Sequence, residues 1–467
     1  MSIVLGIDLA TAEVRVEAVD VESGRSLAER RAPLAPRSRT GERVQPALHG
    51  ELAIELIAAV AAELGTRAPE VRALSVTGTS GTVVPVDAAG KPVGDAVLYD
   101  DPRGAELLTA SRTAAGVAGR PLAALARTAW MHAASPAARY VFTPDVVHAA
   151  LAGELLASDT SHALKSGVDP VHARWDDALL AAFGLPPERM PGVVRPGTQI
   201  GAVANPAALG LSADVVIVAG MTDGSTGQIA TGAVAVGDSV GVLGTTLVLK
   251  AVADREVLDP VTGVYSHCAP DGLFWPGGAS NTGAGVLQQG VTAGLDPVAA
   301  AGAIEAHGPS ELITYPLVRK GERFPVADRD FAGFCVDLAG APREAVTPVE
   351  RFRAVYEGVA LVERLGLMRL DALGVELRQH HVAGGAAASQ VWNTIRASAL
   401  GREVVAVRGA GSARGAAAIA AAAVTGETLA AVARRFAEDR TVVEPDAALV
   451  AALDERFHVL SEQISMR

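Results

Sequence analysis

The chain has little cysteine, few aromatic residues, a deficit of positive charge and no long hydrophobic run. Its two cysteines, Cys268 and Cys335, lie far apart and outside any CxxC or Cys/His cluster. That pattern excludes a disulfide scaffold and offers no structural zinc site. Two buried thiols in a reducing cytoplasm are the expected state. Aromatics make up 4% of the residues, too few to suggest a base-stacking platform. Lys and Arg number 40 against 52 Asp and Glu, for a net charge of −12. This argues against a nucleic-acid partner. An anionic substrate would have to be held by local dipoles, a metal and a few basic groups against an unfavourable overall field. The longest apolar run, Ala416 to Val424, is too short to span a bilayer and reads as a buried, alanine-rich helix, so no membrane partner is expected. The N-terminus, Met1-Ser-Ile-Val-Leu-Gly-Ile-Asp8, has no basic region or cleavage pattern and reads as a first strand. A cytoplasmic location is the expectation.

What is present is a large globular core. The 467 residues are 49% apolar and 20% charged, enough for two or more domains. Residues Ile3 to Asp20 read as strand, turn, strand, and the second strand alternates polar and apolar as a half-buried strand should. An amphipathic helix is predicted over 49–64. A buried strand, Ala73 to Thr77, then runs into Gly78-Thr-Ser-Gly81. Near mid-chain the strand Val215 to Ala219 ends in the glycine-rich bend Met221-Thr-Asp-Gly-Ser-Thr-Gly227, and Val242 to Lys250 reads strand, Gly244-Thr-Thr246 turn, strand. The opening hairpin therefore recurs about half a chain later, which predicts two similar α/β domains. Further on, His381-Val-Ala-Gly-Gly-Ala386 is a strand ending in glycines. A helix from Ser389 and a strand Glu403 to Val407 follow it. This βαβ unit has neither GxGxxG nor a P-loop, although a helix N-terminus there can still receive a phosphate.

Asp223 and the Gly-Thr-Thr turn carry the chemistry. A carboxylate within reach of a hydroxyl can accept its proton, and phosphoryl transfer asks a protein mainly for positioning and charge stabilisation. Backbone N–H groups in a tight Gly/Thr turn suit phosphate oxygens, with glycine allowing close approach. Together they suggest phosphoryl transfer to an alcohol. Taken alone, an Asp-Gly pair after a strand is more often an ordinary turn.

These pieces in order (the Gly-Ile-Asp hairpin, Asp223, Gly244-Thr-Thr, Gly384-Gly-Ala and Gly415-Ala-Ala) resemble the FGGY carbohydrate kinases from about Ile3 to about Gly426. The resemblance implies an α/β protein of two actin-like ATPase (ribonuclease H-like) domains with an active-site cleft between them. It places an N-terminal domain over 1–235, a C-terminal nucleotide domain over 236–430, and a helical tail over 431–467 packed on the second domain. Leu98-Tyr-Asp-Asp-Pro-Arg103, Ser158 to Pro170, Gly277 to Gly285 and Lys320-Gly-Glu-Arg-Phe-Pro325 look closest to the D-ribulose kinase branch. D-ribulose 5-phosphate is then the expected product, with D-xylulose or another polyol or ketose as alternatives. In that resemblance Asp223 is the general base, and Asp8 holds Mg²⁺ through water near the transferred phosphate. Thr11 and the Gly244-Thr245-Thr246 turn cradle phosphates. Gly283, Gly384, Gly385, Ala386, Ser389 and Asn393 line the adenosine site, and Asp101 and Arg103 lie near the open-chain ketose. The cofactors implied are ATP and Mg²⁺. The partners are the sugar and Mg-ATP, with a homodimer left open. Two positions depart from the family. Ala10 stands where glycine is usual, and Glu13 sets a carboxylate near the first phosphate turn. They motivate a reading from a different class, a non-catalytic nucleotide- or sugar-binding relative.

Overall fold

The computed structural model describes residues 2–34, 46–108, 120–293, 296–345, 347–437 and 439–466. The chain forms two compact units. One comprises Met1–Gly232, His267–Leu273 and Gly411–Ala437; the other comprises Ala233–Ser266, Phe274–Ala410 and Glu438–Arg467.

In the first unit, strands β1 (Ile3–Leu9), β2 (Glu13–Asp20), β3 (Ser26–Pro33) and β4 (Val71–Gly78) join Gln199–Ala202 and Val216–Val218 in a six-stranded sheet. β1 runs antiparallel to β2 and parallel to β4, and Val216–Val218 is parallel to β4. Every residue of β1 is buried, as a central strand covered on both faces requires. Its odd-numbered apolar residues, Ile3 to Leu9, share a core with Ala53, Leu56 and Ile57 of the helix Ala47–Leu64. The other face receives the helix Ser412–Thr425. A Cβ at Gly6 would overlap the Ala413 carbonyl, and one at Gly415 would overlap the Thr226 carbonyl. Gly6 therefore lets this helix lie close to the sheet, and Gly415 lets it lie close to the helix Asp223–Thr231. Arg414 of the helix forms a buried ion pair with Glu17 of β2.

These contacts explain where the chain departs from the boundaries read from sequence. Residues 411–437 return to the first unit, rather than completing a continuous domain over 236–430 and beginning a tail at 431. The alanine-rich run is the reason, because it is the surface the first sheet needs for its second face. Of the expected tail, the helix Ala447–Ser465 belongs to the second unit, and residues 438 and 467 lie outside the described residues.

In the second unit, Asp238–Leu243 runs antiparallel to Leu247–Ala251 and parallel to Gln379–Ala383, which in turn is parallel to Val404–Val407. This repeats the layout of β1, β2 and β4, so two α/β domains are present, as the recurring hairpin predicts. The helix Pro348–Ala372 is buried from Phe352 to Leu367 save Arg364. At its centre Glu363 accepts two hydrogen bonds from Arg396 and stands 3.0 Å from His380 Nε2. Both cysteines are free thiols. Among the described residues no helix is long and apolar enough to cross a membrane.

Candidate active site

In the first unit Asp8 and Asp223 lie at the carboxyl ends of parallel strands, where open α/β sheets place their ligands. Asp8 sits near the end of β1 opposite Thr77 of β4, and Gly78 bridges to Thr222. Thr222 caps the helix Asp223–Thr231, so Asp223 is the first helical residue, where a negative charge is favoured by the helix dipole. Its Oδ1 accepts the Gly224 N–H at 2.6 Å. The backbone on either side is pinned. The Thr77 hydroxyl donates to the Met221 carbonyl at 2.7 Å, and the Ser412 hydroxyl donates to the Asp223 carbonyl at 3.1 Å. The Thr222 N–H donates to Ser161 Oγ at 3.2 Å, and His267 Nδ1 stands 3.0 Å from the same oxygen.

Asp8 is 7% exposed, and its Oδ1 has no hydrogen-bond partner. Its pKa is pushed up to about 7, first by burial and then by the nearby Asp223 charge, with Arg15 opposing. A buried carboxylate with an unpartnered oxygen, raised further by a second carboxylate's charge, holds a proton more readily than an ordinary Asp.

Thr11 is exposed in the turn between β1 and β2, beside a half-buried Ala10. Glu13 is bound to Arg15 at 2.5 Å. Alternate residues on a strand share a face, so the carboxylate near the turn comes with its own counter-charge.

Asp101 and Arg103 are bonded to each other. Arg103 donates to Asp101 from its backbone N–H, Nε and Nη2 at 2.6–3.0 Å, and its guanidinium lies over the Trp130 ring at 4.6 Å. A cavity of 460 Å³ opens beside Arg103 and Trp130; Asp8, Asp101 and Asp223 do not line it. Two residues that the sequence reading did not single out support the neighbouring loops. Arg127, buried on the same helix as Trp130, donates to the carbonyls of Asp101 and Gly81, each at 3.2 Å. His162 is wholly buried between Asp159 Oδ2 at 2.6 Å and the Gly78 carbonyl at 3.3 Å. Burial alone would lower its pKa, but Asp159, with Asp145 and Asp223 beyond, holds it raised. Asp159 is only three residues from His162, but the carbonyls of Gly78, Gly81 and Asp101 are far from their partners in sequence, so spacing signals only the Asp159 contact.

In the second unit, Gly244, Thr245 and Thr246 form the expected turn between Asp238–Leu243 and Leu247–Ala251. Thr245 is exposed, and a Cβ at Gly244 would meet nothing, so the backbone there is open to a ligand. Gly283 lies against the turn, where a Cβ would come within 2.5 Å of the Thr245 carbonyl. Gly384, with φ +87°, packs on Leu243 just before it. Gly384 and Gly385 are exposed, and Ala386 is half-buried. Ser389 caps the helix Gln390–Leu400 through the Trp392 N–H at 3.3 Å. Asn393 donates to the Ala387 carbonyl at 2.8 Å, while its buried Oδ1 is unpartnered. The structure thus brings Gly244–Thr246, Gly283 and Gly384 together, with Ser389 and Asn393 on the helix that follows the glycines.

Comparison with known proteins bears on what such a chain is. Residues 3–230 match the N-terminal domain of the FGGY family of carbohydrate kinases, and residues 239–424 match its C-terminal domain. A xylulose kinase from Streptomyces rubiginosus is 30% identical over 93% of this chain and 90% of its own length. The structure of a xylulose kinase from Rhodospirillum rubrum superposes with a TM-score of 0.86 at 23% identity, covering 99% of this chain and 98% of the other. A gluconate kinase from Lactobacillus acidophilus superposes at 0.87 with 18% identity, over 100% and 98% of the two chains. The last two likenesses establish the fold and leave the sugar open. The chain belongs to the FGGY family of carbohydrate kinases.

Proposed function

We propose that this ATP-dependent carbohydrate kinase phosphorylates a ketopentose, with D-xylulose ahead of D-ribulose. The stretches that pointed to D-ribulose are short, whereas the likeness to a xylulose kinase runs over 93% of the chain. The observation that carries the reading is Asp223 at a helix N-terminus with Asp8 beside it at the end of a parallel strand. Asp223 takes the proton of the attacking hydroxyl, and its pinned backbone fixes the direction from which it does so. Asp101 and Arg103 contact the ketose. Thr11 and Gly244–Thr246 hold phosphate oxygens, and Gly283, Gly384, Gly385, Ala386, Ser389 and Asn393 line the adenosine site.

Mg²⁺ fits the residues present. The bare, buried Oδ1 of Asp8 lies in the field of a second carboxylate, and a hard cation with oxygen ligands would settle both charges. Among the described residues no group of three or more acidic, His or Cys side chains could cage a metal. The remaining ligands would then be water and phosphate, the usual state of magnesium in kinases. When bound, the ion neutralises charge developing on the phosphate oxygens. The Glu13–Arg15 pair offsets part of the repulsion that position 13 would otherwise offer to ATP, which favours the catalytic reading over a non-catalytic relative.

The test is an ADP-release assay with Mg-ATP against D-xylulose, D-ribulose, L-ribulose, ribitol, glycerol and a blank without sugar. Preference for D-xylulose supports the proposal. Preference for another member keeps the mechanism and replaces the substrate. Equal ADP release with and without every sugar, from folded protein, sinks the ketopentose reading.

A further inference from the structure

The turn Gly244–Thr246 closes a hairpin in which Leu243 faces Leu247. The Gly244 N–H to Thr246 carbonyl bond at 3.1 Å is its internal tie. Further ties come from the loop Ser280 to Gly285. The Ser280 N–H donates to Leu247 O at 2.9 Å, and the Leu247 N–H donates to Thr282 O at 2.8 Å. The Ala284 N–H reaches Gly244 O at 3.0 Å, and the Gly285 N–H reaches Thr245 O at 3.1 Å. A phosphate-holding conformation of the turn therefore depends on this loop as well as on its own hairpin.

The loop in turn is organised around one buried carboxylate, Glu322, which is 3% exposed. It lies in the Lys320 to Pro325 stretch, to which the proposed mechanism gives no role. Its Oε1 accepts the backbone N–H groups of Asn281 and Arg323, both at 2.7 Å. Its Oε2 accepts the hydroxyls of Ser280 at 2.7 Å and Tyr315 at 2.8 Å. These four donors fill the carboxylate's acceptor capacity. The same junction is closed by Asn281 Nδ2 to Gly321 O at 2.8 Å, Arg323 Nη2 to Ser280 O at 3.2 Å, and the Thr282 hydroxyl to Pro316 O at 2.6 Å. A carboxylate removed from water needs such a set of donors to be tolerated. Here two of the four come from Ser280 and Asn281, at the root of the loop that carries the turn.

We infer that Glu322 is a positioning residue for nucleotide binding. It fixes the 280–285 loop, and through it Thr245 and Thr246, in the shape that receives phosphate, without itself touching the nucleotide. The inference rests on the proposal that Gly244–Thr246 is the phosphate turn.

The test compares wild type with Glu322→Ala, Glu322→Gln, Tyr315→Phe, Ser280→Ala and Gly283→Ala. Calorimetry measures the affinity of each for a non-hydrolysable Mg-ATP analogue and, separately, for the ketose. Glu322→Ala is expected to weaken the analogue by about ten- to a hundredfold, in line with losing hydrogen bonds to a charged group, with ketose affinity within about twofold. Glu322→Gln should recover most of the loss. Its amide oxygen can still accept the two backbone N–H groups, and the Ser280 and Tyr315 hydroxyls can rotate to accept from its NH₂. Unchanged analogue affinity in folded Glu322→Ala, or equal losses for both ligands, overturns the inference. If Glu322→Ala does not fold, Tyr315→Phe and Ser280→Ala each remove one donor. Each should weaken the analogue by a few fold, and no change in both overturns the inference. Gly283→Ala, whose Cβ would press on the Thr245 carbonyl, separates the two levels. If it and the Glu322 variants all bind the analogue normally, the phosphate-turn reading fails and the inference fails with it. If Gly283→Ala alone binds poorly, only the role of Glu322 is lost.

Discussion

Replacing Arg396 by Met isolates a buried charge whose cost follows from the structure. Glu363 and Arg396 are both fully buried, and Arg396 donates to the two carboxylate oxygens from Nη2 at 2.6 Å and Nε at 2.7 Å. Burial alone would raise the Glu363 pKa, but the Arg396 charge, with bonds from His380 and Arg396, brings it down to about 2 from its ordinary 4.5. The group's folded value is depressed. Its contribution is therefore fully present above pH 4.5 and is lost as pH falls toward 2. The gap corresponds to about 3 kcal/mol. Removing one partner of a buried pair costs about 3–5 kcal/mol, because the other charge is left unpaired. The double replacement Glu363→Met with Arg396→Met should recover much of that loss, since a well-packed apolar pair can substitute for a buried ion pair. Urea melts at pH 7 and pH 3, followed by circular dichroism, would measure all three proteins. Wild type should lose stability between these pH values, while Arg396→Met should begin low and fall less. A loss below about 1 kcal/mol at pH 7 for Arg396→Met, or an unchanged pH response, would refute the reasoning.

Three other outcomes are expected. Asp223→Asn should lower turnover by about 10²–10⁴ with ketose affinity and melting temperature nearly unchanged; wild-type turnover in that variant would remove Asp223 as the base. His49 is buried with its Nδ1 unpartnered, and burial pushes its pKa down to about 4 from 6.5. The contribution of neutral His49 is then complete above pH 6.5 and lost as pH falls toward 4, by up to about 3 kcal/mol. His49→Leu should flatten the stability curve across that window, and an unaltered slope would contradict the assignment. Gly6→Ala should destabilise the first unit by about 1–3 kcal/mol or more, since the new methyl overlaps the Ala413 carbonyl and overpacking has costs of that order; a thermal melt reads this directly.

Much of the scaffold was legible in the residues. The Ile3–Asp20 and Val242–Lys250 hairpins announce themselves by alternation and a glycine-bearing turn, and their recurrence predicts two α/β domains. Asp223 stands out because a carboxylate follows a buried strand inside a glycine-rich bend. The Glu13–Arg15 pair was legible in principle, since residues two apart on a strand share a face. All of these signals are local, carried by side chains within one turn or strand of each other.

Other features required the folded chain. Asp8 and Asp223 come into electrostatic contact only because β4 pairs with β1 on one side and with Val216–Val218 on the other. The 411–437 segment returns to the first unit because the β1 face opened by Gly6 admits a small-residue helix. Nothing in the Lys320 to Pro325 stretch shows that Ser280, Asn281, Tyr315 and Arg323 close around Glu322. Periodicity and turn chemistry depend on neighbours in sequence, so the sequence by itself determined the two hairpins and the buried strands, whereas the glycine-rich segment read as a bend around Asp223 is the first turn of a helix, Asp223–Thr231. Strand order, close helix approach and the satisfaction of buried charge depend on residues far apart in the chain, and only the tertiary structure decided them.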